Sequence, residues 1–347
     1  MSETPRPENT GPVLVLVLLA IALLLVVAAG AGGQFSADGT LAPAEEPTPV
    51  GASIPSPSSV LEPVPPLQTT PAPTSSAEPD PQPEPDSLAL PHGGKRIFDG
   101  RMLVAYYGTA DTGVLGVLGE TPPDRAFGRL LRAAAPFARN GKPAQPVFEL
   151  IVTVADAHAG PGRDFSHDID PGRVLPYIEA AHRLGALLVL DLQPGRTDFL
   201  TVARRWEWAL KYPWVGLALD PEWRMRRHQV PGRAIGSVSA AEINRTTAWL
   251  DQLTAEHGLP QKLLLLHQFR SAMIRGLTDV VRRPNLAIVQ HVDGFGTPRQ
   301  KLATYNAVAE PRRFRMGFKL FYDEDIRRLS ARRVKQIRPR VDFVSFQ

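Results

Sequence analysis

The stretch Val215–Trp223 reads VGLALDPEW. Five apolar residues run directly into an acid, a proline, a second acid and an indole. So short and uniformly apolar a run suits a strand covered on both faces, as in a parallel sheet. Seven further runs of this kind occur: Met102–Tyr107, Phe148–Val154, Leu187–Leu192, Lys262–His267, Leu286–His291, Arg315–Phe321 and Val341–Phe346. Helical patterns separate them, over Asp124–Arg139, Gly172–Leu184, Asp198–Tyr212, Ala240–His257, Met273–Arg283, Pro298–Ala309 and Glu324–Ile337. The fourth opens on Ser239 as an N-cap with Glu242 three residues on, a capping-box pattern. Eight strands alternating with helices over roughly 250 residues predict an α/β fold, a (β/α)8 TIM-type barrel. The rival is an open doubly wound sheet. It calls for a Gly-rich phosphate loop after an early strand, and Tyr107-Gly108-Thr109 is no GxGxxG. The eighth strand is followed only by Gln347, so the last outer helix is missing or replaced by the segment before strand one.

Composition divides the 347 residues into three parts. Residues 1–35 carry an uncharged apolar run of 18 residues from Pro12 to Ala29, extended by Gly30–Gly33. That length favours an N-terminal transmembrane anchor over a cleaved signal, whose apolar core is shorter, although Ala29-Gly30-Ala31 is a possible cleavage site. Residues 36–92 hold 15 of the 35 prolines and eight acids with no Lys or Arg, which predicts a disordered, semi-extended acidic linker. Residues 93–347 form the barrel domain, with 38 Lys and Arg against 25 Asp and Glu, a net charge of +13. A barrel on such a tether is expected outside the cytoplasm, anchored to the membrane through the N-terminal helix or secreted if that segment is cut. No cysteine is present, which excludes a disulfide framework, a thiol nucleophile, a Cys-ligated metal and a lipidated Cys anchor.

In barrel enzymes the chemistry sits at the C-terminal ends of the strands. Here those ends carry Tyr107, Asp191, Gln193, Asp220, Glu222, Trp223, His267, Gln290, Asp293, Lys319 and Tyr322. Carboxylate, amide and imidazole groups at the ends of apolar runs are costly to bury unpaired, so their recurrence points to a site. If Leu219–Trp223 is extended, Asp220 and Glu222 share a face and aim together into the barrel. Paired carboxylates suit glycoside hydrolysis, one as an acid of raised pKa and the other as a stabiliser of positive charge on the sugar. Glu222 is then the general acid and Asp220 its orienting and charge-balancing partner. Tyr107, Asp191, Gln193, Gln290 and Tyr322 are candidates for sugar hydroxyls, Trp223 for ring stacking, and His267, Asp293 and Lys319 for further substrate contacts. The structural alternative is a turn in which Glu222 pairs with Arg224, Arg226 or Arg227.

The Asp-Pro-Glu-Trp stretch at 220–223, with the early Ala105-Tyr106-Tyr107-Gly108, resembles chitinase-type and lysozyme-type (β/α)8-barrel glycoside hydrolases. In those families an Asp-x-Glu closes strand four and its Glu protonates the leaving oxygen. The resemblance implies the same role for Glu222. The chitinase-type motif carries a further Asp two residues earlier, where this chain has Ala218. Asp191 on the neighbouring strand is the candidate replacement.

These readings predict a membrane-tethered glycoside-hydrolase-like barrel acting on a cell-wall or other extracellular polysaccharide, with no cofactor, no metal and no nucleic-acid partner. The alternatives are a non-catalytic barrel that binds wall polymers and, less favoured, a metal-dependent hydrolase built on His267, His291, Asp191 and Asp293. The Asp156, His158, His167, Asp168 and Asp170 group reads as a polar loop, since it lacks EF-hand or HExxH spacing.

Overall fold

The computed structural model describes residues 88–347. The predicted transmembrane anchor and nearly all of the predicted linker lie outside the described residues. Among the described residues no helix is long and apolar enough to cross a membrane.

Eight parallel strands close into a barrel: β1 (Leu103–Gly108), β2 (Gln145–Ala155), β3 (Leu187–Leu192), β4 (Val215–Leu219), β5 (Lys262–His267), β6 (Leu286–Val292), β7 (Arg315–Leu320) and β8 (Val341–Phe346). Each pairs with the next, and β8 returns to β1 with Tyr106 opposite Phe346. The fold is therefore the (β/α)8 TIM-type barrel that the apolar runs predict, with strand bounds that agree within a few residues.

The outer layer holds α1 (Pro123–Ala134), α2 (Pro171–Leu184), α3 (Phe199–Arg205), α4 (Glu207–Leu210), α5 (Ala240–Glu256), α6 (Pro298–Val308) and α7 (Ala331–Gln336). Side-chain caps fix the starts: Asp170 accepts from the Gly172 amide, Asp198 from Thr201, and Ser239 from Glu242. Thr297 and Gln300 form a reciprocal capping box. The polar group after β2 is only partly a loop: Ser166–Asp168 is a short strand paired antiparallel with Thr153–Ala155, His167 meets Asp156 at 2.8 Å, and Asp168 accepts from Thr153 at 2.6 Å.

Two predicted helices are corrected. Met273–Arg283 is not helical. Two single 3-10 turns, Ser271–Met273 and Leu277–Asp279, flank Ile274–Arg275, which pairs in parallel with Val238–Ser239. Gly276 sits between them at φ 69°, a left-handed conformation that a right-handed helix cannot pass through. Glu324–Ile337 is helical only in its second half. Asp325 is drawn inward to accept from the amides of Phe321 and Gly296, Arg327 lies at φ 56°, and the helix restarts behind the Ser330 cap.

Burial at the N-terminal end of the barrel creates a pH-dependent element. Lys262, the first residue of β5, is buried and donates to the Tyr212 carbonyl at 2.5 Å. Burial pushes its ammonium down to about 7. Below that pH the chain buries a charge on folding. Between there and the ordinary lysine range the unfolded chain holds a proton that the folded one lacks, so stability rises with pH. Lys262→Met should remove this rise and gain on the order of a few kcal/mol at pH 7, less the loss of the carbonyl's partner. Urea titrations of both proteins at pH 7 and pH 10 check it; parallel pH dependences would refute the assignment.

Candidate active site

Strand register builds the site. Tyr107 pairs with Glu149, His267 with His291, and Lys319 with Ser345. Side chains alternate across a strand, so each of these pairs lies at one level of the barrel. Asp191 pairs with Ala218, which places the β3 acid beside the position where the chitinase-type motif would carry its extra Asp. Small residues make room: a Cβ on Gly317 would stand 2.9 Å from His291 Cδ2.

His267 is the hub. Its Nδ1 lies 2.8 Å from Asp293 Oδ2, and its Nε2 lies 3.0 Å from Glu149 Oε1 and 3.9 Å from Asp191 Oδ2. Burial alone would push the ring down. The Asp191 charge and the contacts with Asp293 and Glu149 outweigh it and hold His267 well above the usual histidine range. His291 is opposite in character: burial pushes it down, and its Nε2 lies 3.1 Å from Ser345 Oγ. Glu149 is fully buried. Against that burial, the two imidazoles hold its carboxyl below the usual range. Lys319 Nζ stands 3.4 Å from the centroid of the Tyr107 ring, a cation–π contact, and Gln193 reaches the Tyr107 hydroxyl at 3.4 Å.

The carboxylates divide into two kinds. Asp293 is ionised: despite burial, the hydrogen bond from His267 holds it low. Asp220 is raised well above its ordinary range by burial and then by the nearby Glu222. Burial also raises Asp191, against the pull of His267. Glu222 is half-buried, with its carboxyl among the charges of Asp293, Lys319, His267 and Asp191. Burial and then the Asp293 charge push it up to about 8. No ion pair holds Glu222 among the described residues: Arg224 binds Glu242 at 2.8 Å, and Arg226 reaches Ser237.

The geometry of the acidic motif differs from the extended one expected. Pro221–Trp223 is a 3-10 turn, so Asp220 and Glu222 approach one another through the turn and not through the pleat. The barrel mouth is also more closed than an open pocket. Asp191, Asp220, His267 and Lys319 are buried, whereas Glu222, Trp223 and Tyr322 reach the surface in part.

Two predicted residues stand apart from the cluster. Gln290 alternates with His291 and turns outward, where its amide donates to Gln268 and to the Val308 carbonyl at 2.7 Å and accepts from the Glu310 amide. Tyr322 stacks on Phe346 at 5.6 Å and its hydroxyl lies 3.3 Å from that of Tyr106, with Arg328 over its ring. The residue missed outright is Glu149. Its only signal is a charge inside the otherwise apolar run FELIVTV.

Glu149 Oε1 meets His267 Nε2 at 3.0 Å and His291 Nδ1 at 3.6 Å as ion pairs without hydrogen-bond geometry, and among the described residues the other Glu149 oxygen, both oxygens of Asp191 and one oxygen each of Asp220 and Asp293 are buried with no hydrogen-bond partner. Glu149, His267 and His291 bring ligand-type atoms within 4.8 Å of one another, enough to hold a metal ion. Asp220, His267 and Asp293 do so too; in each set His267 already meets a carboxylate, Glu149 at 3.0 Å in the first and Asp293 at 2.8 Å in the second.

The fold and cluster together define a (β/α)8 barrel with a charged, largely buried cluster at the C-terminal ends of its strands. Among solved structures, the chain is similar to a dihydropteroate synthase of Burkholderia cenocepacia, with 15% identity over 71% of this chain and 85% of that one and a TM-score of 0.30. It is also similar to a Xanthomonas albilineans dihydropteroate synthase in complex with indole-2-carboxylic acid and 6-chloroguanine, with 13% identity over 72% and 88% and a TM-score of 0.28. No protein-family model and no curated protein sequence matches the chain.

Proposed function

We propose that the barrel is an acid-catalysing glycoside hydrolase that cleaves a cell-wall or other extracellular polysaccharide. One observation carries the reading. Among the described residues Glu222 has no arginine partner, and burial pushes its carboxyl up to about 8, which suits it to donate a proton at neutral pH. Asp293, ionised beside it, is suited to balance positive charge developing on a sugar; this is the role first given to Asp220. Asp191, level with Ala218, and Lys319 over Tyr107 are buried beneath Glu222 and add to the charge around its carboxyl. The apolar run at 12–29 and the proline-rich linker favour an extracytoplasmic, membrane-tethered domain. Reducing-end release from a panel of purified wall polysaccharides by the full chain tests the reading. Saturable binding without any cleavage would favour a non-catalytic polymer-binding barrel.

The orphan atoms favour a second reading, a metal-dependent hydrolase. His267 Nε2, His291 Nδ1 and the Glu149 carboxylate would be the ligands. Asp293 and Ser345, bonded to the other ring nitrogens, would be their outer supports. A bound cation and a protonated His267 exclude one another. Elemental analysis of the purified full chain separates the two readings. The acid reading expects less than about 0.1 equivalent of any transition metal, well short of a closed ligand set. One equivalent in the wild type, lost in Glu149→Gln, would replace it with the metal reading.

A further inference from the structure

The opposite end of the barrel holds a cleft of about 510 Å³ lined by the first residues of β6 and β7 and by seven arginines. Its lining residues Leu286, Ala287, Ile288 and Met316 belong to the N-terminal ends of the strands, whereas His267 and Asp293 lie at the C-terminal ends. Residues 271–279, between β5 and β6, form no α-helix, and Arg282 and Arg283 of this connection line the cleft.

The charges in this cleft are not balanced. Asp342 is the one acid in its lining, and three guanidinium groups already hold it: Arg139 at 2.6 Å, Arg340 at 3.0 Å and Arg315 at 3.1 Å. Arg283 is tied to Thr247 and Asn244, and Arg313 donates to the carbonyls of Thr278 and Val280. Arg313 Nε is buried with no partner. Arg96, Arg282 and Arg312 are exposed, and among the described residues their side chains make no hydrogen bond or ion pair. Arg315 is braced over Phe98 at 5.2 Å.

We infer that this cleft binds a soluble phosphate-bearing polyanion, a polyphosphate or phosphodiester chain. A planar guanidinium matches phosphate oxygens two at a time, and several in one concavity match a chain of them better than a single carboxylate. The apolar floor focuses the field of the surrounding charges. A concave site also suits a thin flexible chain, because a flat bilayer surface meets only the exposed rim at Arg96, Arg282 and Arg312 and leaves the concavity between them unfilled. The inference is independent of the reaction at the other end: it uses none of the same residues.

The test is calorimetric titration of the full chain with short-chain polyphosphate at two salt concentrations. Saturable binding that weakens with salt is the expected result. Arg282→Glu with Arg312→Glu should weaken it at least about tenfold, since each reversal removes one attraction and adds one repulsion. Arg282→Gln with Arg312→Gln should weaken it less, in the same direction. A control with the same net charge, Arg125→Glu with Arg204→Glu, reverses two exposed arginines on α1 and α3 outside the cleft and should change affinity less than about twofold. Equal loss in the control and the cleft variants overturns the site in favour of diffuse charge. So does capture by phosphatidylglycerol vesicles without polyphosphate binding, which makes the surface a membrane contact. Orthophosphate competing as strongly as polyphosphate also overturns it, because a single-anion site would then suffice.

Discussion

Glu222→Gln should lower the turnover of a cleaved polysaccharide by about a thousandfold, within the range that a positioned general acid contributes. The amide is nearly isosteric with the protonated carboxyl that the site holds at neutral pH, so the variant should fold and bind its polymer as the parent does. The pH profile carries the rest of the test. Glu222 gives its proton only while protonated, so activity should fall on the alkaline side as pH passes about 8. The Asp293 charge is the largest push on Glu222 after burial. Asp293→Asn should therefore move the alkaline limb to lower pH as well as reducing the rate. Initial rates measured from pH 5 to pH 10 on the parent and both variants check the assignment. Undiminished turnover in Glu222→Gln, or a limb unmoved in Asp293→Asn, would sink it.

Asp325→Ala should be the most destabilising of the single changes considered. The Asp325 carboxylate is buried, pairs with Lys301 at 2.8 Å and accepts from the amides of Phe321 and Gly296. Lys301 in turn donates to the carbonyls of Gly294 and Lys319. This knot ties α6 to the loops after β6 and β7 and fixes the backbone from which Lys319 enters the site. Removing one partner of such a pair leaves a buried charge uncompensated, at a cost of about 3–5 kcal/mol. For a domain of this size the melting temperature should fall on the order of 10 °C. Lys301, which burial already pushes down to about 8, would fall further and shed its proton to limit the loss. Adding Lys301→Met should recover part of the stability, because the stranded charge is then gone. A silent Asp325→Ala would show that the knot does not hold the rim.

The strands were legible because burial on both faces writes itself as an uninterrupted apolar run. β3, β4, β5 and β8 begin and end where those runs do. The helices were less so. Met273–Arg283 has helical spacing, but Gly276 and the bridge to Val238–Ser239 override it, and that bridge joins residues far apart in the chain. At Asp325 a tertiary ion pair competes with helix formation, and no local pattern announces a lysine one element away. For the site, residues at strand ends were visible and residues inside strands were not. Asp191, Asp220, His267 and Asp293 all follow apolar runs. Glu149 sits within one, and only barrel closure makes it the partner of two histidines. Gln290 shows the converse: a polar residue near a strand end whose pleat turns it to the helix layer.

The ring of inward side chains has a consequence for when the cluster forms during folding. Tyr107 and Ser345 belong to the first and last strands, and the cluster between them draws on the strands that separate these two in the chain. No contiguous fragment holds more than part of it. The β1–β8 seam must form against the loop entropy of almost the whole domain, a long-range closure that belongs late in assembly. The electrostatic setting of His267 and Glu222 is thus bound to a single cooperative event. Partly assembled chains would carry the acids without the field that tunes them.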